Sequence, residues 1–280
     1  MHQSPLVALI RHADYTGIEQ RLEASPSDAD ARLPLNLFRE KALAYPLHYL
    51  CKQKRVPTST LKLMAQAAPD ALNHADSVYQ SRPLHVACWH GLPLAAIELL
   101  LDSDPEVDET LRHPDVNGNL PLHLAAFLSP DDVLMRLLKA YPQAALVRNA
   151  KGQTPLHCAC ERSTIDPEVF QVLVQTAPQA VRQRDVSGRL PIHLCCISGP
   201  MEPIAVYETL LQSHPESIND RDRVSHLHPY AMLRNRHRLG PEDSRIQLLR
   251  LYRQRVAPLT ARCQFWVENH CHKRPKAREV

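Results

Sequence analysis

Residues 154–160 read Thr-Pro-Leu-His-Cys-Ala-Cys, a histidine beside two cysteines. Taken alone, the stretch suggests a metal site or a thiol nucleophile. It is not alone. Pro-Leu-His stands at 46–48, 83–85, 121–123 and 155–157, and Pro-Ile-His at 191–193, with steps of 37, 38, 34 and 36 residues between the prolines. A short phrase returning at such a period marks a stack of similar units, so the histidine needs an explanation that works in every unit.

Two further proline positions share the period. One follows nine to twelve residues after the motif proline, at 57, 93, 130, 167 and 203. The other follows eleven or twelve later, at 69, 105, 142, 178 and 215. Proline fits the first turn of a helix and is excluded from its interior. The first position therefore opens a short helix, the second opens a longer one and the third ends it. Apolar residues at helical spacing support the longer helix: Val133, Leu134, Leu137, Leu138 and Tyr141, then Val169, Phe170, Leu173 and Val174, then Val206, Tyr207, Leu210 and Leu211. Ser129-Pro130-Asp131-Asp132 reads as a capped start, with Ser129 as the capping hydroxyl. Asp115-Val-Asn-Gly118, Asn149-Ala-Lys-Gly152 and Asp185-Val-Ser-Gly188 precede their motif prolines by one offset and read as tight turns.

Asp-x-x-Gly-x-Thr-Pro-Leu-His, two small residues and a second helix with a Leu-Leu pair resemble the ankyrin repeat, with Asn149 to Cys160 matching best. The resemblance implies an all-α, ankyrin-type solenoid of helix-turn-helix units with hairpin-like turns between them. It covers about 5–255, with units starting near 5, 46, 83, 121, 155, 191 and 229, five of them strong. The sequence departs from the family at the position before the motif proline, where Tyr45, Arg82, Leu120 and Leu190 replace threonine, and at the end of the second helix, where proline replaces glycine. The first and last units are degenerate, as end units with one polar face are expected to be. In the last, Pro229 and Pro241 occupy the helix-opening slots, and Ile246, Leu249 and Tyr252 or Arg253 form the apolar side of the second helix. Residues 256–280 read as a basic C-terminal tail, folded back on the last unit through Phe265 and Trp266.

The resemblance implies that His48, His85, His123, His157 and His193 hydrogen-bond around the turns and tie neighbouring units together. Geometry argues the same way against metal or nucleophile chemistry. Cys158 and Cys160, two positions apart on a helix, point to different sides and cannot both grip one ion, and zinc wants four converging ligands. Cys195 and Cys196 are adjacent and receive the same reading. In the tail, Cys263 stands apart from the consecutive His270, Cys271 and His272, which do not reach one ion together. No metal and no cofactor is expected. Cys51, Cys88, Cys160 and Cys196 each follow a motif proline by five residues, as residues filling one recurring small slot rather than pairing. Eight unpaired cysteines, no secretory signal and no run near the ~20 apolar residues of a membrane span read as a reduced, cytoplasmic protein. The basic segment 272–278 raises the nucleus as an alternative.

Among 280 residues with 44% hydrophobic and 5% aromatic content, no nucleotide loop, nucleophile elbow or zincin motif occurs, so no enzyme is expected. A solenoid presents an extended concave face, and binding is its usual use. The family resemblance places binding at the turn tips and on the first helix after the two small residues. The helix positions are Lys52 and Gln53, Trp89 and His90, Phe127 and Leu128, Glu161 and Arg162, and Ile197 and Ser198. The tips are Tyr79, Asn117, Asn119, Lys151, Gln153, Ser187 and Arg189. Trp89 and Phe127, flanked by Leu128 and Ile197, are expected to form an apolar stripe that docks a partner protein, since large exposed aromatics anchor interfaces. The sequence does not name the partner, and the chain is expected to be monomeric by itself. The weaker alternative is nucleic acid, or another acidic surface, at the basic end: residues 221–280 carry fourteen Lys or Arg against five Asp or Glu, while 1–220 carry 19 against 25.

Overall fold

A computed structural model describes residues 5–30, 33–35, 42–198, 204–237 and 242–256. Seven helical hairpins follow one another. They are α1 (Pro5–Arg11) with α2 (Tyr15–Ala24), α3 (Pro46–Leu50) with α4 (Thr58–Ala67), and α5 (Pro83–His90) with α6 (Leu94–Ser103). After the extra helix α7 (Val107–Arg112) come α8 (Pro121–Leu128) with α9 (Asp131–Ala140), α10 (Pro155–Glu161) with α11 (Pro167–Thr176), and α12 (Pro191–Ser198) with α13 (Ile204–Ser213). The last pairs α14 (Pro229–His237) with α15, residues 244–256. The first helices pack side by side in one layer, α3 through α14, and the second helices α2 through α13 form the other. Among the described residues the fold is an all-α solenoid with one small exception. Leu33–Leu35 and Ala42–Ala44 pair as a two-stranded antiparallel ribbon, Leu33 opposite Ala44. The proline pattern does not mark it.

Small side chains let the first helices approach. Ala87 and Cys88, Ala125 and Ala126, Ala159 and Cys160, and Cys195 and Cys196 are all fully buried at corresponding places in neighbouring helices. A larger side chain there would push the helix axes apart. The second helices follow the apolar spacing: Val133, Leu134, Leu137 and Leu138 are buried on α9, and Phe170, Leu173 and Val174 on α11. Each such side chain contributes about 1.5–3 kcal/mol by leaving water.

The prolines act nearly as their spacing suggests, with two differences. Pro57, Pro93 and Pro130 are the residue just outside the second helix, in extended conformation, rather than its first residue; Pro167 is the first residue, capped by Asp166. Ser129 is therefore not the N-cap of α9; it closes α8 instead, its amide donating to the Ala125 carbonyl. It is buried, and its hydroxyl donates to the Cys88 carbonyl 2.9 Å away in the preceding hairpin. The third prolines end α4, α9, α11 and α13 and start a 3-10 turn, as at Pro142–Leu146 and Pro178–Arg182. At Pro105 the chain instead makes α7, which occupies the longest step between motif prolines. The buried Arg82 reaches this insert, donating to Thr110 Oγ1 at 2.9 Å and to Glu109 at 2.7 Å. That contact explains an arginine where the matching position of another unit is Thr154. Pro203 and Pro241 lie outside the described residues. On α15 the cap is Asp243, which accepts from the amides of Arg245 and Ile246. Ile246 and Leu249 are buried and Tyr252 half-buried, while Arg253 is exposed.

The motif histidines join one hairpin to the next. Nδ1 of His85, His123, His157 and His193 accepts from the backbone N–H three residues earlier, at 3.1–3.3 Å. Nε2–H then donates onward to a carbonyl of the following turn: His113 for His85, Val147 and Gln153 for His123, Arg189 for His157 and Asp220 for His193. His48 donates likewise to Ser81 at 3.0 Å. One nitrogen accepts and the other donates, so the ring must be neutral. Burial enforces this, pulling His85 down to about 3 and His48, His123 and His157 to about 4 from an ordinary 6.5, and lowering His193.

The turn tips form a second ladder. Val116 N–H donates to the Tyr79 carbonyl, Ala150 to Asn117, Val186 to Lys151 and Arg223 to Ser187, at 2.7–2.9 Å. Each tip is shaped by an Asp or Asn at its base, whose side chain accepts the amides of the turn; Asn149 takes those of Lys151 and Gln153. Gly152 turns the chain at φ +71°, where a Cβ would stand 2.7 Å from the Arg148 guanidinium.

A depressed histidine pKa gives stability that is full above pH 6.5 and drains away as pH falls toward 4, because the unfolded chain binds protons that the fold refuses. The urea midpoint should fall steeply between pH 6.5 and 4.5. His123→Gln should lower the midpoint at pH 7 and reduce proton uptake on unfolding near pH 5 by roughly one; unchanged uptake would contradict the neutral-ring linkage.

Candidate functional site

On the open side of the first-helix layer, between the α3, α5 and α8 hairpins, lies a cavity of about 460 Å³. Its floor is Val86 and Leu124, with Ala44 from the ribbon at one edge. Helical spacing explains the wall. Val86, Trp89 and His90 share one face of α5, at i, i+3 and i+4, as Leu124, Phe127 and Leu128 do on α8. Trp89 is 50% exposed and Tyr79, at the neighbouring turn tip, 48%. The Trp89 and Phe127 rings lie 6.3 Å apart, tilted by 41°, a spacing at which aromatic pairs attract. Leu128, 42% exposed, continues the apolar strip.

The polar lining divides into groups already engaged and groups that are not. Asp76 accepts from the amides of Val78, Tyr79 and Ser81. Asp115 accepts from the amides of Asn117 and Asn119 and from the Asn119 side chain. His48 and His85 are committed to the inter-unit bonds described above. Lys52 is half-buried and lies 5.2 Å from the centre of the Tyr49 ring. Desolvation lowers its pKa while the charge of Asp76 raises it. His90 is lowered by burial first, then by the charges of Lys52 and Lys54.

The structure brings Tyr79, Trp89, His90, Asn117 and Asn119 together around this cavity, with Phe127 and Leu128 beside it. Further along, the predicted positions serve the scaffold. Gln153 is buried and donates to Glu161 at 3.1 Å. Arg162 turns to Asp131 in the preceding hairpin at 2.8 Å, and Arg189 faces Asp222, 3.6 Å away. Lys151 is exposed and Ser187 half-buried, both lending a carbonyl to the ladder. Ile197 is half-buried and Ser198 exposed at the end of α12. Val86 and Leu124 were not singled out from the sequence, although counting back three residues from Trp89 and Phe127 finds them.

Cys51, Cys88, Cys158, Cys160, Cys195 and Cys196 are buried free thiols. Burial pushes Cys88 and Cys158 up to about 12 and raises Cys51, Cys160 and Cys196 as well, so the thiolate is disfavoured. Among the described residues no group of three His, Cys, Asp or Glu is placed to hold a metal ion, and no helix is long and apolar enough to cross a membrane. Exposed arginines at 234, 250, 253 and 255 mark the basic end. Cys263, Phe265, Trp266, His270, Cys271 and the basic segment 272–278 lie outside the described residues.

The paired helices, the buried histidine bridges and the turn-tip ladder define an ankyrin-type interaction scaffold. Residues 122–222 match the ankyrin-repeats family in three copies. Over 102 residues, 36% of this chain and 23% of the relative, the sequence is 31% identical to target of rapamycin complex 2 subunit AVO2 of Saccharomyces cerevisiae. Over 115 residues, 41% of this chain and 10% of the relative, it is 36% identical to transient receptor potential cation channel subfamily A member 1 of Homo sapiens. The similarity thus spans under a quarter of either curated relative.

With Cys263 and Cys271 replaced by serine, the six remaining thiols should react with a chromogenic disulfide reagent at pH 7.5 no faster than the chain unfolds. A fast-reacting thiol in that variant would show that one of the buried cysteines is accessible after all.

Proposed function

We propose that this chain is a non-catalytic protein–protein interaction module, an adaptor or a subunit of a larger complex, that seats a partner protein on its concave face. The carrying observation is the half-exposed Trp89, next to Phe127, on the rim of the cavity between three hairpins. A half-exposed tryptophan loses its remaining water when a partner covers it, and such residues carry much of the energy of interfaces. Val86 and Leu124 below, and Tyr79 and Leu128 to either side, extend the apolar area. Ankyrin repeats are an interaction fold, and the resemblance to a subunit of a yeast complex points the same way. The partner-binding surface is centred on Tyr79, Trp89, His90, Asn117, Asn119, Phe127 and Leu128. Lys151, Glu161, Arg162, Ser187, Arg189, Ile197 and Ser198 belong to its far end, where several already bind one another. In this reading residues 1–255 are the scaffold and 256–280 a basic tail, and the protein works in the cytoplasm.

Affinity capture from lysate with the wild-type chain beside Trp89→Ala/Phe127→Ala tests the proposal. The double variant should keep its helical circular dichroism, since both side chains are at least partly exposed, and should lose a specific set of captured proteins by about tenfold or more. Undiminished capture by a folded double variant would refute it.

A further inference from the structure

We infer that the cavity receives an extended segment of the partner in which an acidic residue stands within one or two positions of an apolar one, the carboxylate meeting Lys52 and the apolar side chain lying against Trp89. This rests on the concave-face reading above and gives it a chemistry. The argument is an account of which polar groups remain for a guest. The Asp76 and Asp115 carboxylates are each held by three N–H groups of their own turns, so neither is turned to a guest cation. The rings of His48 and His85 donate to the carbonyls of Ser81 and His113. Lys52 makes no ion pair among the described residues. Its ammonium is half out of water, feels the Asp76 charge without touching it, and gains more from an added carboxylate than it would at an open surface. His90 stands on the same side, with Lys54 near enough to disfavour its protonation. A guest thus meets a lysine, a second lysine nearby and a ring able to donate, beside an apolar floor and an indole. A basic guest would find the lone pairs of both carboxylates already engaged by amides, and the ammonium of Lys52 beside it.

Lys52 and one neutral histidine are too few for a nucleic acid strand, which is held by a groove of basic residues tracking the backbone. A volume of about 460 Å³ falls in the range of sites that enclose a small guest.

The full chain carrying Trp266→Phe keeps Trp89 as its one tryptophan, because the sequence has two. A random dodecapeptide library is selected on this protein and separately on its Lys52→Glu variant, both checked for unchanged helix content. Recovered peptides are synthesised and titrated by Trp89 fluorescence. Peptides from the first selection should carry Asp or Glu beside a large apolar residue, shift the emission to the blue, weaken roughly tenfold with Lys52→Ala and weaken with added salt. The Lys52→Glu selection should replace the acid with Lys or Arg. Recovery of basic or uncharged peptides that still need Trp89 would overturn the acidic assignment and leave the concave-face proposal standing. Recovery of no peptide that moves Trp89, or a single-stranded oligouridylate that shifts its emission when peptides do not, would overturn the inference. Loss of Trp89-dependent capture from lysate, measured separately, is what would remove the proposal beneath it.

Discussion

One imidazole bond pattern holds this molecule in register. In four of the five strong units a buried histidine spends one nitrogen on its own helix start and the other on the next turn, while His48 makes the onward bond alone. For His85, His123, His157 and His193 both halves are present. A short helix of eight residues has almost no stability of its own. Its first turn leaves backbone N–H groups unpaired, and the ring accepts one of them while the opposite nitrogen fixes where the following turn must stand. The same device therefore starts a helix and sets the spacing of a stack. It works only with the ring neutral, and desolvation keeps it so.

A stack held this way has consequences at its surface. Because the histidines, the turn-base carboxylates and the tip carbonyls all bond within the scaffold, the polar atoms along the turns are largely spoken for. Little is left over for a guest, and what is left over becomes informative. Around the cavity the remainder includes Lys52, His90, the side chains of Tyr79 and Asn117 and an exposed indole; toward α10 and α12 less is left, because Arg162, Arg189 and Gln153 have found partners in the neighbouring hairpin or their own. A uniform scaffold thus acquires a polarity along its length from a few side chains that the repeat does not dictate. The insert α7 adds to this difference, since it engages Arg82 through Thr110 and Glu109.

The recurrence of proline, histidine, small residues and leucine determined the architecture by itself. Each marks a feature that is local to one unit: where a helix can start, where it must stop, which slot admits no bulk, which face is apolar. Period and pattern then leave side-by-side hairpins as the way to bury every apolar face at once. Trp89 and Phe127 were equally legible as candidates, because a large aromatic just after the two small residues of the first helix stands out against a chain poor in aromatics; in space Trp89 is half-exposed and Phe127 packs partly against the core. What the sequence could not supply was anything that depends on which distant residue lies opposite. Ser129 reads as a cap in the chain and is a bridge to Cys88 in space; Arg162 reads as a free surface charge and is tied to Asp131. The ribbon of Leu33–Leu35 and Ala42–Ala44, and the openness of Lys52 toward the cavity, follow from where the hairpins come to rest against each other. Local covalent and steric rules write the unit into the sequence. Ion pairs, shared hydrogen bonds and the shape of a cavity are set between units, by distances that exist only after the stack has formed.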